Sequence, residues 1–245
     1  ERLQQAHIMV AGIGGVGSWC VEALARSGIG TLTLIDLDHI TESNINRQLP
    51  ALSSTLGQAK IEAMKQRIEQ INPACQVVLI DDFIGADNVV ELLSSRPNVL
   101  IDCTDQAEAK IAMIMQAKRQ RLKMYVCGAA GGKTNALALK RGDLSQSTHD
   151  ALLSKLRNRL RKEYGFPKAQ AKAGKVAARI PKMGIEVFWV EQTAIMPSAW
   201  QQQTQLQGPQ GLSCAGYGSS VTVTAPMGFA AAERALDFVL TKKAL

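Results

Sequence analysis

Aromatic residues are scarce in this sequence, at 4% of 245 residues, so its core has to be built from aliphatic side chains. Cysteine is sparse as well. Cys20, Cys75, Cys103, Cys127 and Cys214 stand far apart with no CxxC pair, which argues against a disulfide framework or a zinc ribbon; no zinc is expected, and a reducing, cytoplasmic setting is. Long apolar runs free of charge are missing too. The most apolar late stretch, Ser219 to Leu240, is interrupted by Glu233, Arg234 and Asp237, so a strand at Val221 to Thr224 followed by an amphipathic helix is expected there and no stable membrane insertion. Glu1 to His7 is polar, without the basic and apolar regions of a signal peptide.

What is present has ordinary globular proportions, 46% apolar and 20% charged, over a length that suits one main domain with an appendage. The net charge of +7 favours polyanions, and its placement is uneven. Lys155 to Lys182 holds ten Lys or Arg against one acidic residue, Glu163. Asp150 to Tyr164 is helical in pattern, offering Lys155, Arg157, Arg159, Arg161 and Lys162 to a phosphate backbone, while Gly165 to Pro181 reads as a loop. A solvated basic face is the alternative. The division expected is a nucleotide-binding part over 1–145 and, over 146–245, a basic segment with a closing region packed on the same core.

The first part alternates strongly. His7 to Gly12 is an apolar run ending in glycine, Val16 to Arg26 is helical in period, and Thr31 to Ile35 is β-branched; the rhythm continues through a helix at Gly57 to Ile71 and strands at Gln76 to Ile80, Asn98 to Asp102 and Met124 to Cys127. This predicts an α/β, Rossmann-like fold with a mostly parallel sheet. Ile185 to Met196 reads as a further strand. Gly12, Gly14, Gly15 and Gly17 form GxGGxG between strand and helix, where the backbone and a helix N-terminus can approach phosphate. Asp36, at the end of the second strand, is placed to accept from ribose hydroxyls. These features alone leave NAD, FAD and ATP open.

The next segment narrows the choice. Asp36 to Gln48 (DLDHITESNINRQ), then Gly57-Gln58-Ala59-Lys60 and Ile101-Asp102-Cys103-Thr104-Asp105, resemble the adenylating domain of the ubiquitin-activating-enzyme superfamily, which includes the ThiF and MoeB proteins. The resemblance implies ATP as cofactor, with nucleotide roles for Gly15, Asp36, Asn44, Arg47, Lys60 and Asp105 and less defined ones for Asp38 and Gln48. The chemistry is coherent. Arg47 can fork onto phosphate oxygens, Lys60 can act as a point charge, and Asp105 can hold magnesium on the phosphates; these three are the catalytic candidates. Read singly, Arg47 is equally a surface cation, Lys60 a solvated helix residue and Asp105 a helix cap.

Many ThiF and MoeB relatives carry two CxxC pairs, and this chain has none. Cys127 to Thr134 (CGAAGGKT), Gly142 to Asp150 (GDLSQSTHD) and Leu156-Arg157 resemble instead the tRNA threonylcarbamoyladenosine dehydratase branch. That resemblance implies ATP-dependent cyclisation of a modified adenosine in tRNA, a homodimer, and cysteine-desulfurase or sulfur-acceptor partners. It also implies an arginine-bearing segment ahead of the first strand whose arginine reaches a neighbouring subunit's ATP; here Arg2 stands close to that strand and the segment is largely absent, a departure from the family pattern. Alternatives are adenylation of a ubiquitin-like sulfur carrier, an NAD- or FAD-dependent oxidoreductase, and a nonenzymatic RNA-binding module. Cys214 and His149 stand between a catalytic and a merely structural role.

Overall fold

The computed structural model describes residues 1–169, 180–196 and 217–241. Strands β1 (His7–Ala11), β2 (Thr31–Ile35), β3 (Gln76–Ile80), β4 (Val99–Asp102), β5 (Lys123–Cys127), β6 (Leu139–Asp143) and β7 (Glu186–Val190) form one sheet in the order β3-β2-β1-β4-β5-β7-β6. Six strands run parallel, and β6 pairs antiparallel with β7 at one edge. The order reverses beside β1, and chain crossovers diverge there to leave a crevice above the strand ends. Residues after 145 contribute β7 to the interior of this sheet.

Helices cover both faces. On one lie α1 (Gly17–Arg26), α2 (Lys60–Ile71) and α6 (Val221–Thr241), joined to Ile8, Val10, Leu32 and Leu34 through Val21, Leu24, Met64, Met227 and Ala231. The alternate residues Met9, Ala11 and Leu100 point to the other face, where they meet α3 (Val89–Leu92) and α4 (Ala107–Gln120). There α5 (Ala151–Glu163) also packs, its Leu153, Leu156 and Leu160 beside Ile111 and Ile114 of α4 and Val187 of β7.

Three sequence expectations change. Val221 to Thr224 is the first turn of α6 and not a strand. The β-branched run suggested extended backbone, but the Ser220 carbonyl accepts the amides of Val223 and Thr224, and Val223, Met227 and Ala231 are buried at helical spacing. The expected strand over Ile185 to Met196 is confined to Glu186–Val190. The partner of β7, Leu139–Asp143, lacks a strand's apolar alternation because it is an edge strand carrying Lys140 and Arg141 outward. The expected helix at Gly57 to Ile71 begins at Lys60, and the loop expected over Gly165 to Pro181 lies outside the described residues at 170–179.

α6 crosses α1 closely because Gly228 has no side chain. A Cβ there would sit 2.4 Å from the Val16 carbonyl oxygen and 2.9 Å from the Cys20 amide, and the neighbouring Phe229 meets Trp19 edge to face. Gly228→Ala should therefore force the helices apart and destabilise the fold by roughly 1–3 kcal/mol, even though alanine favours helix. Urea denaturation measures this; an unchanged or raised stability would show that the helix pair can relax without loss.

Candidate active site

A cavity of about 320 Å³ opens at the C-terminal ends of β1, β2, β4 and β5. Gly12, Gly14, Gly15, Asp36, Asp38, Asn44, Arg47, Gln48, Lys60 and Asp105 all line it. Gly17 lies just behind, at the start of α1, and its role is to let the turn close. A Cβ on Gly17 would fall 1.8 Å from the Gly12 carbonyl oxygen, while Gly12, at φ +84°, has its own Cβ position 2.8 Å from the Cys103 carbonyl carbon. Side chains at either place would separate the turn from β4.

Asp36 ties this turn to the second strand. Its Oδ2 accepts the Ile13 amide at 2.6 Å and its Oδ1 accepts the Asp38 amide at 2.9 Å. Burial pushes the Asp36 carboxyl above the usual range, against the lowering pull of Lys60 and the two amides. Lys60 is buried at the start of α2 and not a solvated helix residue; its Nζ lies 2.6 Å from Asp38 Oδ2 and 3.9 Å from Asp36 Oδ1. The Asp38 side chain is 66% exposed, so this cation has one buried and one exposed counter-charge.

Asn44 and Arg47 are presented by the crossover between β2 and α2. Asn44 is buried and its Oδ1 accepts the Thr41 amide at 3.1 Å, closing a capping box. Arg47 is half-buried, and its Nη1 donates to the Ser43 carbonyl at 2.7 Å and to Asn46 Oδ1 at 2.8 Å. Trp19 of α1 donates to the Arg47 carbonyl at 3.0 Å, which holds the crossover over the glycine turn. Opposite, Asp105 is exposed at the cavity and does not cap α4; that position belongs to Gln106, without a side-chain bond.

Under the floor lies a buried ion pair. Lys110 of α4 donates to Asp102 Oδ1 at 3.1 Å and to the Cys127 carbonyl at 2.8 Å, joining the ends of β4 and β5. Asp102 Oδ1 also accepts the Thr104 amide and hydroxyl, which shapes the bend that carries Asp105. Cys103 lines the cavity with its Sγ 3.8 Å from that of buried Cys127; this contact and burial push the Cys103 thiol well up, so it is no ready nucleophile. Cys214 lies outside the described residues.

The wall beyond β5 is fixed by Asp150. Its carboxylate accepts the Leu153 amide as the cap of α5 and the Ala129 amide at the cavity edge, with Lys133 Nζ 3.6 Å away. The adjacent His149 takes a left-handed φ of 54° and places Nδ1 3.1 Å from Thr193 Oγ1. Along α5, Lys155 and Lys162 are exposed, Arg159 pairs with Glu108 and Glu163, and Arg161 donates to the Pro167 carbonyl. Arg157 turns inward onto the Ser147 carbonyl at 2.8 Å. Arg2 donates to the Leu240 carbonyl at the end of α6.

Several cavity residues were not foreseen. Asp82, Phe83 and Ile84 follow β3, and Ser219 and Thr224 come from the start of α6. Phe83 is 60% exposed in a chain poor in aromatics, which is the signal that marks it; the others are polar or aliphatic residues brought in by topology.

A parallel sheet with a glycine turn, an acidic residue after the second strand and cations on the crossover defines a nucleotide-binding site of Rossmann type. The ThiF family pattern matches residues 1–244, and the chain belongs to that family. Within it, the chain is 43% identical over 99% of its length to the tRNA threonylcarbamoyladenosine dehydratase of Haemophilus influenzae, covering 88% of that protein. It is 38% identical to the Escherichia coli protein of the same name, over 98% of this chain and 88% of the other. The crystal structure of the E. coli dehydratase in complex with ATP superposes with a TM-score of 0.82 at 36% identity, covering 97% of this chain and 87% of that one. Among the described residues, no helix is long and apolar enough to cross a membrane.

The ion pair beneath the cavity gives a stability test. Lys110→Met would leave Asp102 buried without its cation and should cost about 3–5 kcal/mol in chemical denaturation. A loss below about 1 kcal/mol would mean that Asp102 finds another partner or takes up a proton at little cost.

Proposed function

We propose that this chain cyclises N6-threonylcarbamoyladenosine in tRNA with ATP, by adenylating the threonyl carboxylate. The observation that carries the reading is the convergence of Asp36, Arg47, Lys60 and Asp105 on one cavity above a glycine turn. Near-full-length similarity to the named dehydratases supports the substrate.

In this reading a carboxylate oxygen of the substrate attacks the α-phosphorus of ATP and pyrophosphate leaves. The carbamoyl oxygen then attacks the acyl carbon, the N–H proton is lost, the oxazolone ring closes and AMP departs. The net change in the nucleoside is loss of one water. Little chemistry is asked of the protein beyond position and charge, because an intramolecular attack on a good leaving group needs mainly a near-attack geometry. Asp36 accepts from the ribose, the turn at Gly12 to Gly15 cradles phosphate with Asn44 and Gln48 beside it, and Arg47 and Lys60 offset the charge that develops on the departing pyrophosphate. Lys60 carries Asp38 as counter-charge until the nucleotide arrives.

Magnesium fits one residue, Asp105. Its exposed carboxylate has no hydrogen-bond or ion-pair partner among the described residues, where no group of three or more metal-ligating side chains occurs either. Magnesium usually binds through one or two carboxylates and the nucleotide's own phosphates, so a single carboxylate suits it. When bound it would neutralise phosphate charge.

The tRNA backbone would follow α5 through Lys155, Arg159, Arg161 and Lys162, with Arg157 holding the loop at Ser147 that supports them. Family resemblance extends the reading to a homodimer and to sulfur-relay partners, and a tRNA substrate agrees with a cytoplasmic location.

Incubation of the purified chain with tRNA bearing the linear nucleoside, ATP and magnesium should yield, by nucleoside mass spectrometry, a product lighter by one water. Arg47→Ala should lower kcat/KM by roughly 100-fold or more. No mass change with ATP-bound protein would sink the reading; pyrophosphate release on addition of a Gly-Gly carrier protein, with none on addition of tRNA, would replace it with sulfur-carrier adenylation.

A further inference from the structure

Beside Arg47 stands a residue to which the proposed reaction gives no task. Asn46 is exposed and lies outside the cavity lining, yet its side-chain amide makes two hydrogen bonds of opposite sense. Its Oδ1 accepts Arg47 Nη1 at 2.8 Å, and its Nδ2 donates to the Ser219 carbonyl, just ahead of α6, at 2.8 Å. These partners fix the orientation of the amide, because turned over it would set Nδ2 against a donor and Oδ1 against an acceptor.

The consequence for Arg47 follows from its atoms. Both hydrogens of Nη1 are taken, one by Asn46 Oδ1 and one by the Ser43 carbonyl at 2.7 Å. Nε and Nη2 have no partner among the described residues, and they form the edge of the fork that can receive two oxygens side by side. The stem is placed as well. An ideal Cβ on Gly15 would lie 3.2 Å from Arg47 Cγ and 3.4 Å from Cδ, so the methylenes run along the glycine turn. Ser43 belongs to the same crossover as Arg47, whereas Asn46 ties the guanidinium to a distant part of the chain, at Ser219 in the cavity wall.

Resting on the ATP reading, we infer that Asn46 is a positioning residue for Arg47. Anchored on the Ser219 carbonyl, it pins Nη1 and leaves the Nε–Nη2 edge to a phosphate group, while itself touching no nucleotide. A fork held in this way loses less freedom when phosphate arrives, so its effect belongs to the phosphates and not to the nucleoside.

A double-mutant cycle read by titration calorimetry tests this, using the full chain, Asn46→Ala, Arg47→Ala and the double variant, with ATP and with adenosine as probes. Asn46→Ala should weaken ATP binding about three- to tenfold, the cost of ordering one long side chain, and leave adenosine affinity the same. In the Arg47→Ala background the same substitution should change ATP affinity by less than about twofold, because its only route to the nucleotide is gone. A thermal melt of each variant confirms that it is folded. ATP affinity unchanged in Asn46→Ala, an equal loss for adenosine, or the same loss of ATP affinity with and without Arg47 would each overturn the inference; the last would mean that Asn46 acts through Ser219 alone. ATP binding that is indifferent to Arg47→Ala would overturn the role given to Arg47 and this inference with it, whereas no ATP binding by the unaltered chain would overturn the ATP reading itself.

Discussion

The site depends on two stretches of backbone lying closer together than side chains permit. Gly17 opens α1 against the carbonyl of Gly12, and Gly12 in turn rests on the peptide after β4. This contact sets the height of the turn over the sheet and aims the first amides of α1 at the crevice beside β1. Asp36 locks it from the other side by accepting the Ile13 amide. Its other oxygen accepts the Asp38 amide, so two backbone bonds hold the Asp36 carboxylate in place at the end of the second strand.

Around that fixed turn the charges are arranged in pairs of unequal exposure. Lys60 is buried and Asp38 largely exposed; Lys110 and Asp102 are both fully buried. The first pair can exchange its carboxylate for a nucleotide's phosphates at modest cost, because Asp38 is solvated when released. The second cannot, and serves as a fixed brace between β4, β5 and α4. In the proposed reading this difference separates a phosphate-binding cation, Lys60, from a structural one, Lys110, although both are lysines facing aspartates.

Much of this was legible in the sequence. The glycine spacing, the β-branched second strand and the run from Asp36 to Gln48 are local signals, and the structure brings Gly12, Gly14, Gly15, Asp36, Asn44 and Arg47 from them to one cavity. Other features are not local. Leu139–Asp143 forms an edge strand from a polar segment, and Val221 to Thr224 has β-type residues but takes helix because its buried side packs on α1. Thr224 reaches the cavity only through that packing. Charge counting in α5 likewise gave five cations without telling that Arg157 faces inward to the Ser147 carbonyl.

Since the protein contributes position and charge, the account stands on the identity of the activated intermediate. Labelling the threonyl carboxylate of the tRNA nucleoside with oxygen-18 and following one round of reaction tests it directly. Attack on the α-phosphorus followed by ring closure predicts one labelled oxygen in AMP and none in pyrophosphate. Unlabelled AMP, or label in the released phosphates, would contradict an acyl adenylate.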